Sequence, residues 1–282
     1  MPADTPTMPP RPHGGGGGWD TLVRADGMYG RLAVSDHHGA RFLTCNGLVY
    51  GAAWLDPPAL VAGTPCRPGP VPESDYMLGF VVVASICPAG RIFMSGLGSG
   101  AGAVALAWQY PGLHVTVAEI DPAVVALARA HYPLLDHLVE AGRITVVTDD
   151  ATVVVRSAPP GSWDLALIDA YADSAHLLCP QEMLRALHGR ADDLWLNLLD
   201  TRDFQRSNDL MELMRRCGWP PRTCMPVIDA DDTLELGNLI IGTADIDRLR
   251  CRPEDIFAGL DHPNALRSRA VVRTMLSASR GL

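Results

Sequence analysis

A run of alternating glycines, set between an apolar strand and a helix, most constrains what this chain can fold into. Gly96, Gly98, Gly100 and Gly102 alternate with Leu97, Ser99 and Ala101. Residues 91–95 before them read as a strand, and residues 100–109 after them as a helix. Glycines at such a turn permit positive φ and let the backbone touch a ligand at the start of the next helix. Taken alone the turn is weak evidence, but the strand before and the helix after give it the context of a nucleoside-binding unit.

The pattern that follows is a repeated alternation of apolar strands and helices. Strands are expected over residues 114–120, 143–148, 163–168 and 194–199. Helices are expected over 75–86, 122–130, 151–157, 180–187 and 204–217. Such alternation builds a parallel sheet with helices on both faces. Residues 224–228 and 234–241 read as two strands closing as a hairpin. Ahead of all this, 31–35, 41–45 and 48–52 read as short strands of a small antiparallel sheet, with Asn46-Gly47 as its hairpin signal. The expected division is a Pro- and Gly-rich disordered tail (1–18), a hairpin domain with a Pro-rich connector (19–72), a nucleoside-binding catalytic domain (73–243) and a helical tail (244–282).

Three acidic positions give the glycine turn its chemistry. Glu119 ends the second strand of the alternation, 23 positions beyond Gly96, where a carboxylate can accept both hydroxyls of a ribose. Asp121 reads instead as the cap of a helix starting at Pro122. These features fit NAD and S-adenosylmethionine enzymes alike. Asp150-Ala151, ending the third strand, separates them: a carboxylate there can accept from an adenine amino group, and Asp150 can also cap the helix that follows. Asp169 ends the fourth strand, beside the crevice where open α/β sheets bind ligands, and can orient and deprotonate an attacking amine. Tyr171 and Asp173 lie on the loop beyond it.

Composition narrows the classes. A net charge of −9 argues against general nucleic-acid binding and is compatible with a cationic small substrate. The seven cysteines are odd in number and scattered, with no C-x-x-C pair, which argues against a disulfide framework or a zinc site and for a reducing compartment. No signal peptide is read at the N-terminus, and the most apolar window, residues 77–87, is too short for a membrane span. A cytoplasmic protein without membrane or metal partners is expected.

The order Tyr29-Gly30-Arg31-Leu32, the hairpin, Gly96-Leu97-Gly98-Ser99-Gly100, Glu119-Ile120-Asp121-Pro122, Asp150-Ala151 and Asp169-Ala170-Tyr171 resembles the spermidine synthase (polyamine aminopropyltransferase) family. The resemblance covers roughly residues 27–243. It implies a Rossmann-like class I methyltransferase fold: a mostly parallel seven-stranded sheet with a C-terminal antiparallel hairpin, preceded by a small antiparallel sheet. It implies decarboxylated S-adenosylmethionine, or S-adenosylmethionine itself, as co-substrate, an amine acceptor such as putrescine, and a homodimer or homotetramer. Gly96, Gly98, Ser99 and Gly100 would run under the nucleoside, Glu119 would hold the ribose, Asp150 and Ala151 would meet the adenine, and Asp169 would be the base. Tyr76, Tyr171 and Asp173 would meet the acceptor. The chain departs from the family where Ser99 replaces the Asp of the glycine turn, which engages the donor's amino end, and where the loop after Asp169 lacks its Pro.

Overall fold

The computed structural model describes residues 18–37, 39–55, 75–171, 177, 179–201, 205–227 and 236–248. Residues 1–17 of the expected tail, the Pro-rich connector and nearly all of the expected C-terminal helical segment lie outside these residues.

Four strands open the chain: β1 (Asp20–Gly27), β2 (Gly30–His37), β3 (Ala40–Cys45) and β4 (Leu48–Trp54). They pair in sequence order as an antiparallel meander. The Asn46-Gly47 turn has φ of 50° and 84°, the left-handed pair that a two-residue hairpin needs to match strand twist.

The second sheet grows from α1 (Asp75–Ala84), β5 (Arg91–Ser95), α2 (Ala101–Gln109), β6 (His114–Glu119), α3 (Pro122–His131), α4 (Pro133–Glu140), β7 (Ile144–Thr148), α5 (Ala151–Ser157), β8 (Trp163–Ile168), α6 (Gln181–Leu187), β9 (Ala191–Thr201), α7 (Gln205–Arg216), β10 (Thr223–Val227) and β11 (Leu236–Gly242). Its spatial order is β10-β11-β9-β8-β5-β6-β7, parallel except for β11, which runs antiparallel to both neighbours. This is the class I methyltransferase topology. The chain moves outward from β5 to β7, then returns to β8 on the other side of β5. That reversal opens a crevice at the carboxyl ends of β5 and β8.

Burial on both faces explains why these strands read as continuous apolar runs. Ile92, Met94, Val115, Val117, Leu165 and Leu167 face a core closed by α1 to α4. Phe93, Ala118, Ala166 and Ile168 face the core under α5, α6 and α7. Leu32, Val34, Leu43 and Cys45 of the small sheet join the first of these cores, so the two sheets share one apolar interior.

Two departures from expectation have local causes. The helix expected over 122–130 is followed by a second one, α4, which Pro133 starts in the first-turn position where a missing N–H costs nothing. β9 begins three residues before the expected strand, at Ala191-Asp192-Asp193. Asp193 is nonetheless 5% exposed, because Thr243 and Arg248 donate to its carboxylate.

Candidate active site

The glycine turn is a junction of three elements. Gly96, Gly98 and Gly100 all have left-handed φ, at 94°, 53° and 83°. A Cβ on Gly96 would meet the Asp169 carbonyl at 2.9 Å, and one on Gly100 the Leu135 side chain of α4 at 2.6 Å. A Cβ on Gly98 would run into the Tyr50 carbonyl of β4. The small sheet therefore sits directly on the turn, with no room for a side chain between them.

A cavity of about 600 Å³ opens at this junction. That is an ordinary size for a small-molecule site. Its floor is Gly96-Leu97-Gly98, and its walls bring together Glu119, Asp150, Ala151 and Asp169 from the ends of β6, β7 and β8. Tyr29 and Leu48-Val49-Tyr50 close it from the small sheet, and Tyr171, Asn197 and Asn238 from the other side.

Glu119 is held by the backbone. One carboxylate oxygen accepts from the Leu97 N–H at 2.9 Å and the other from the Asp121 N–H at 3.0 Å. Each oxygen keeps a lone pair, which suits a vicinal diol. Burial pushes the Glu119 carboxyl above its ordinary value; the N–H donors at Asp121, Leu97 and Gly98 pull against this, and the Asp121 charge adds to it. The Tyr29 phenol is also raised, by burial and then by Glu119, Asp150 and Asp121, so it stays a neutral donor among carboxylates.

Asp121 and Asp150 are caps, as the sequence suggested. Asp121 accepts from the Ala123 N–H at 2.9 Å, and its second oxygen accepts from the Met28 N–H at 2.6 Å, tying the β1–β2 turn to α3. Asp150 accepts from the Thr152 N–H at 2.6 Å through Oδ1 while lining the cavity.

Asp169 lines the cavity at the end of β8. Its N–H donates to the Ser95 carbonyl at 3.0 Å, which fixes the backbone beside the glycine turn. Its Oδ1 accepts from Asn197 Nδ2 at 2.9 Å. Tyr171 lines the same wall, yet its hydroxyl is committed to β9: it donates to the Asn197 carbonyl at 2.7 Å and accepts from the Leu199 N–H at 2.9 Å. Burial foremost, with the Asp169 charge behind it, raises the Tyr171 phenol, so this hydroxyl remains a donor.

Two expectations need correction, and two fall on side chains outside the described residues. Ser99 and Gly100 do not line the cavity. The Ser99 side chain is 2% exposed and turned to Gly51 of β4, where a Cβ would collide with its hydroxyl. Gly100 is spent on starting α2 in left-handed backbone against Leu135. Tyr171 lines the cavity as expected, with its hydroxyl bound to β9. Tyr76 lies on α1, but its side chain is outside the described residues, and so is Asp173.

Sequence reasoning did not single out Tyr50, Asn197 and Asn238 as site residues. Tyr50 follows the hairpin turn closely enough to have been a candidate, but nothing local says that β4 lands on Gly98. Among the described residues no group of three or more His, Cys, Asp or Glu is placed to hold a metal ion, and no helix is long and apolar enough to cross a membrane.

No protein-family model matches the sequence, and no curated protein matches it. Solved structures do. A probable spermidine synthase from Corynebacterium glutamicum superposes with a TM-score of 0.61 at 20% identity, over 79% of this chain and 80% of that one. The spermidine synthase of Thermotoga maritima gives 0.58 at 12% identity, over 89% and 87%. A spermidine synthase solved with the transition-state analogue AdoDATO gives 0.59 at 12% identity, over 89% and 88%. The chain has the spermidine synthase fold. The coverage extends the likeness beyond the Rossmann-like sheet alone. At these identities it is a likeness of spermidine synthase architecture, and the chemistry must come from the cavity.

Proposed function

We propose that this chain is a transferase of the spermidine synthase type, moving the aminopropyl group of decarboxylated S-adenosylmethionine to an amine such as putrescine and releasing methylthioadenosine. The observation that carries the reading is the placement of Asp169 in one cavity with Glu119 and Asp150, each at a strand end around the crevice. In this reading Glu119 accepts from the ribose hydroxyls, Asp150 from the adenine amino group, and Gly96-Leu97-Gly98 passes beneath the nucleoside. The amine's lone pair attacks the aminopropyl carbon next to the sulfonium. The carbon–sulfur bond breaks, its electron pair stays on sulfur, and neutral methylthioadenosine leaves. The proton lost by the amine goes to Asp169, without which the nucleophile would stay an unreactive ammonium.

A second reading has its own observation. Ser99 stands where the spermidine synthase pattern has a donor-binding Asp, and its side chain is turned away from the cavity. A donor that keeps its carboxylate then meets no opposing charge from this position, which favours a methyltransferase using S-adenosylmethionine.

Thermal shifts with S-adenosylmethionine, its decarboxylated form and methylthioadenosine separate the two, followed by turnover with putrescine and spermidine. Preference for the decarboxylated donor is expected; preference for S-adenosylmethionine would move the assignment to methyl transfer, and binding of none would end both. Asp169→Asn is expected to lower kcat by about 10²- to 10⁴-fold near neutral pH while methylthioadenosine affinity holds. Undiminished turnover would remove Asp169 as the base.

A further inference from the structure

Asn197 is a buried amide in the wall of the cavity, on β9 and 28 residues from Asp169 in sequence. It is 2% exposed. Its Nδ2 donates to Asp169 Oδ1 at 2.9 Å. A carboxylate accepts only, so the amide's orientation is fixed by that bond and the carbonyl end must face elsewhere. Asn197 Oδ1 is buried without a hydrogen-bond partner among the described residues. An orphaned buried acceptor of this kind is destabilising, and a ligand N–H would relieve it.

The amide is also held from behind. Its own backbone carbonyl accepts from the Tyr171 hydroxyl, which in turn accepts from the Leu199 N–H. The loop after Asp169 and the strand carrying Asn197 are thus clamped together at two points, side chain to side chain and phenol to backbone. A base whose orientation is set by a second polar group, itself fixed, is the recurring arrangement for a proton acceptor in catalysis.

We propose that Asn197 is a positioning residue that holds Asp169 through Nδ2 and takes one N–H of the incoming amine on Oδ1. The inference rests on the amine-acceptor reading above. A primary ammonium carries three donors. Asp169 takes the one whose proton will be lost, and Asn197 takes a second without adding negative charge. A neutral acceptor satisfies the nitrogen yet does not stabilise the ammonium as a second carboxylate would, so deprotonation stays feasible.

Among the described residues, the titratable groups that share the cavity with this pair are Tyr171, Tyr29, Tyr50, Cys179, Glu119, Asp121 and Asp150; from α7, Arg206 acts on Tyr171. Neither Tyr171, raised by burial, nor Cys179, pushed up by burial, changes charge in the range where a carboxylate titrates. Of the carboxylates that line the cavity, Glu119, Asp121, Asp150 and Asp169, only Asp169 is hydrogen-bonded to Asn197, so an acid midpoint that moves in Asn197 variants reads Asp169.

The test is calorimetric binding of putrescine to the methylthioadenosine-saturated protein across pH, for wild type, Asn197→Leu and Asn197→Asp. Wild type should bind putrescine, with affinity falling as Asp169 protonates. Asn197→Leu should keep methylthioadenosine affinity within about twofold, weaken putrescine by roughly tenfold or more, and move the acid midpoint to higher pH, since a hydrogen bond to the charged carboxylate is gone. Asn197→Asp should move that midpoint further up, because two carboxylates in contact cannot both ionise easily. An unmoved midpoint with putrescine affinity retained in both variants overturns the proposal, as does a wild type that binds methylthioadenosine but no putrescine. A wild type that binds no methylthioadenosine instead overturns the nucleoside reading on which the proposal stands. If Asn197→Leu fails to fold, Asn197→Asp alone decides by the direction of its midpoint.

Discussion

Glu119 shows how one side chain can serve fold and site together. Its carboxylate gathers two backbone N–H groups that would otherwise lack partners at the turn, and the residue lines the cavity. Because burial raises its folded pKa, the folded state holds this proton more tightly than the unfolded chain does. The stability it contributes is complete below the unfolded glutamate pKa and is lost as pH rises through the raised folded value. Glu119→Gln should therefore flatten the stability curve over that window, read by denaturant unfolding at a series of pH values. It should also weaken methylthioadenosine by roughly 10- to 100-fold, since a charged acceptor of two hydroxyls is lost. An unchanged affinity would take the ribose away from Glu119. The same carboxylate was visible in the sequence, because a strand-end acid at a set distance from a glycine turn is a local pattern. Asn197 was not: an amide inside an apolar strand has no local signature, and only the pairing of β8 with β9 brings it to Asp169.

At the scale of elements, the caps explain both what could be read and what could not. Apolar runs bounded by Gly, Pro and Asp fit β5 and β8 to the residue, since these central strands are buried on both faces. β1 was harder. Its exposure alternates without an apolar run, and it is an edge strand whose register depends on β2. Asp121 was legible as the cap of α3 but not as the anchor of the β1–β2 turn, because the Met28 N–H it accepts lies 93 residues away. Losing both bonds should cost about 1–3 kcal/mol, one cap plus one part-buried hydrogen bond. Asp121→Ala is thus expected to lower Tm by several degrees and to weaken methylthioadenosine along with it, since Tyr29 follows Met28 into the cavity wall. A Tm loss with full nucleoside affinity would show that the turn can loosen without disturbing the site.

For the molecule as a whole, the decisive fact is that, among the described residues, the larger buried apolar side chains of the small sheet belong to the core of the large one. Leu32 and Val34 are fully buried in the same cluster as Ile92, Val117 and Leu165 of the large sheet. The two sheets should unfold as one unit. Leu32→Ala removes a buried side chain from that shared interior and should cost about 2–5 kcal/mol. Calorimetry should show a single transition moved to lower temperature. A second transition left at the original temperature would mean that the large sheet stands alone.

The contact between the Tyr50 carbonyl and Gly98 has a bearing on how the protein is made. β4 leaves the ribosome well before the turn it rests on, and the two are brought together only after β5 has been laid down and α2 begun. The small sheet must wait for its seat, and the cavity gains its last wall when that docking is complete. Capture of methylthioadenosine by a refolding chain would then mark the end of folding rather than the formation of the parallel sheet, lagging behind the recovery of helical signal.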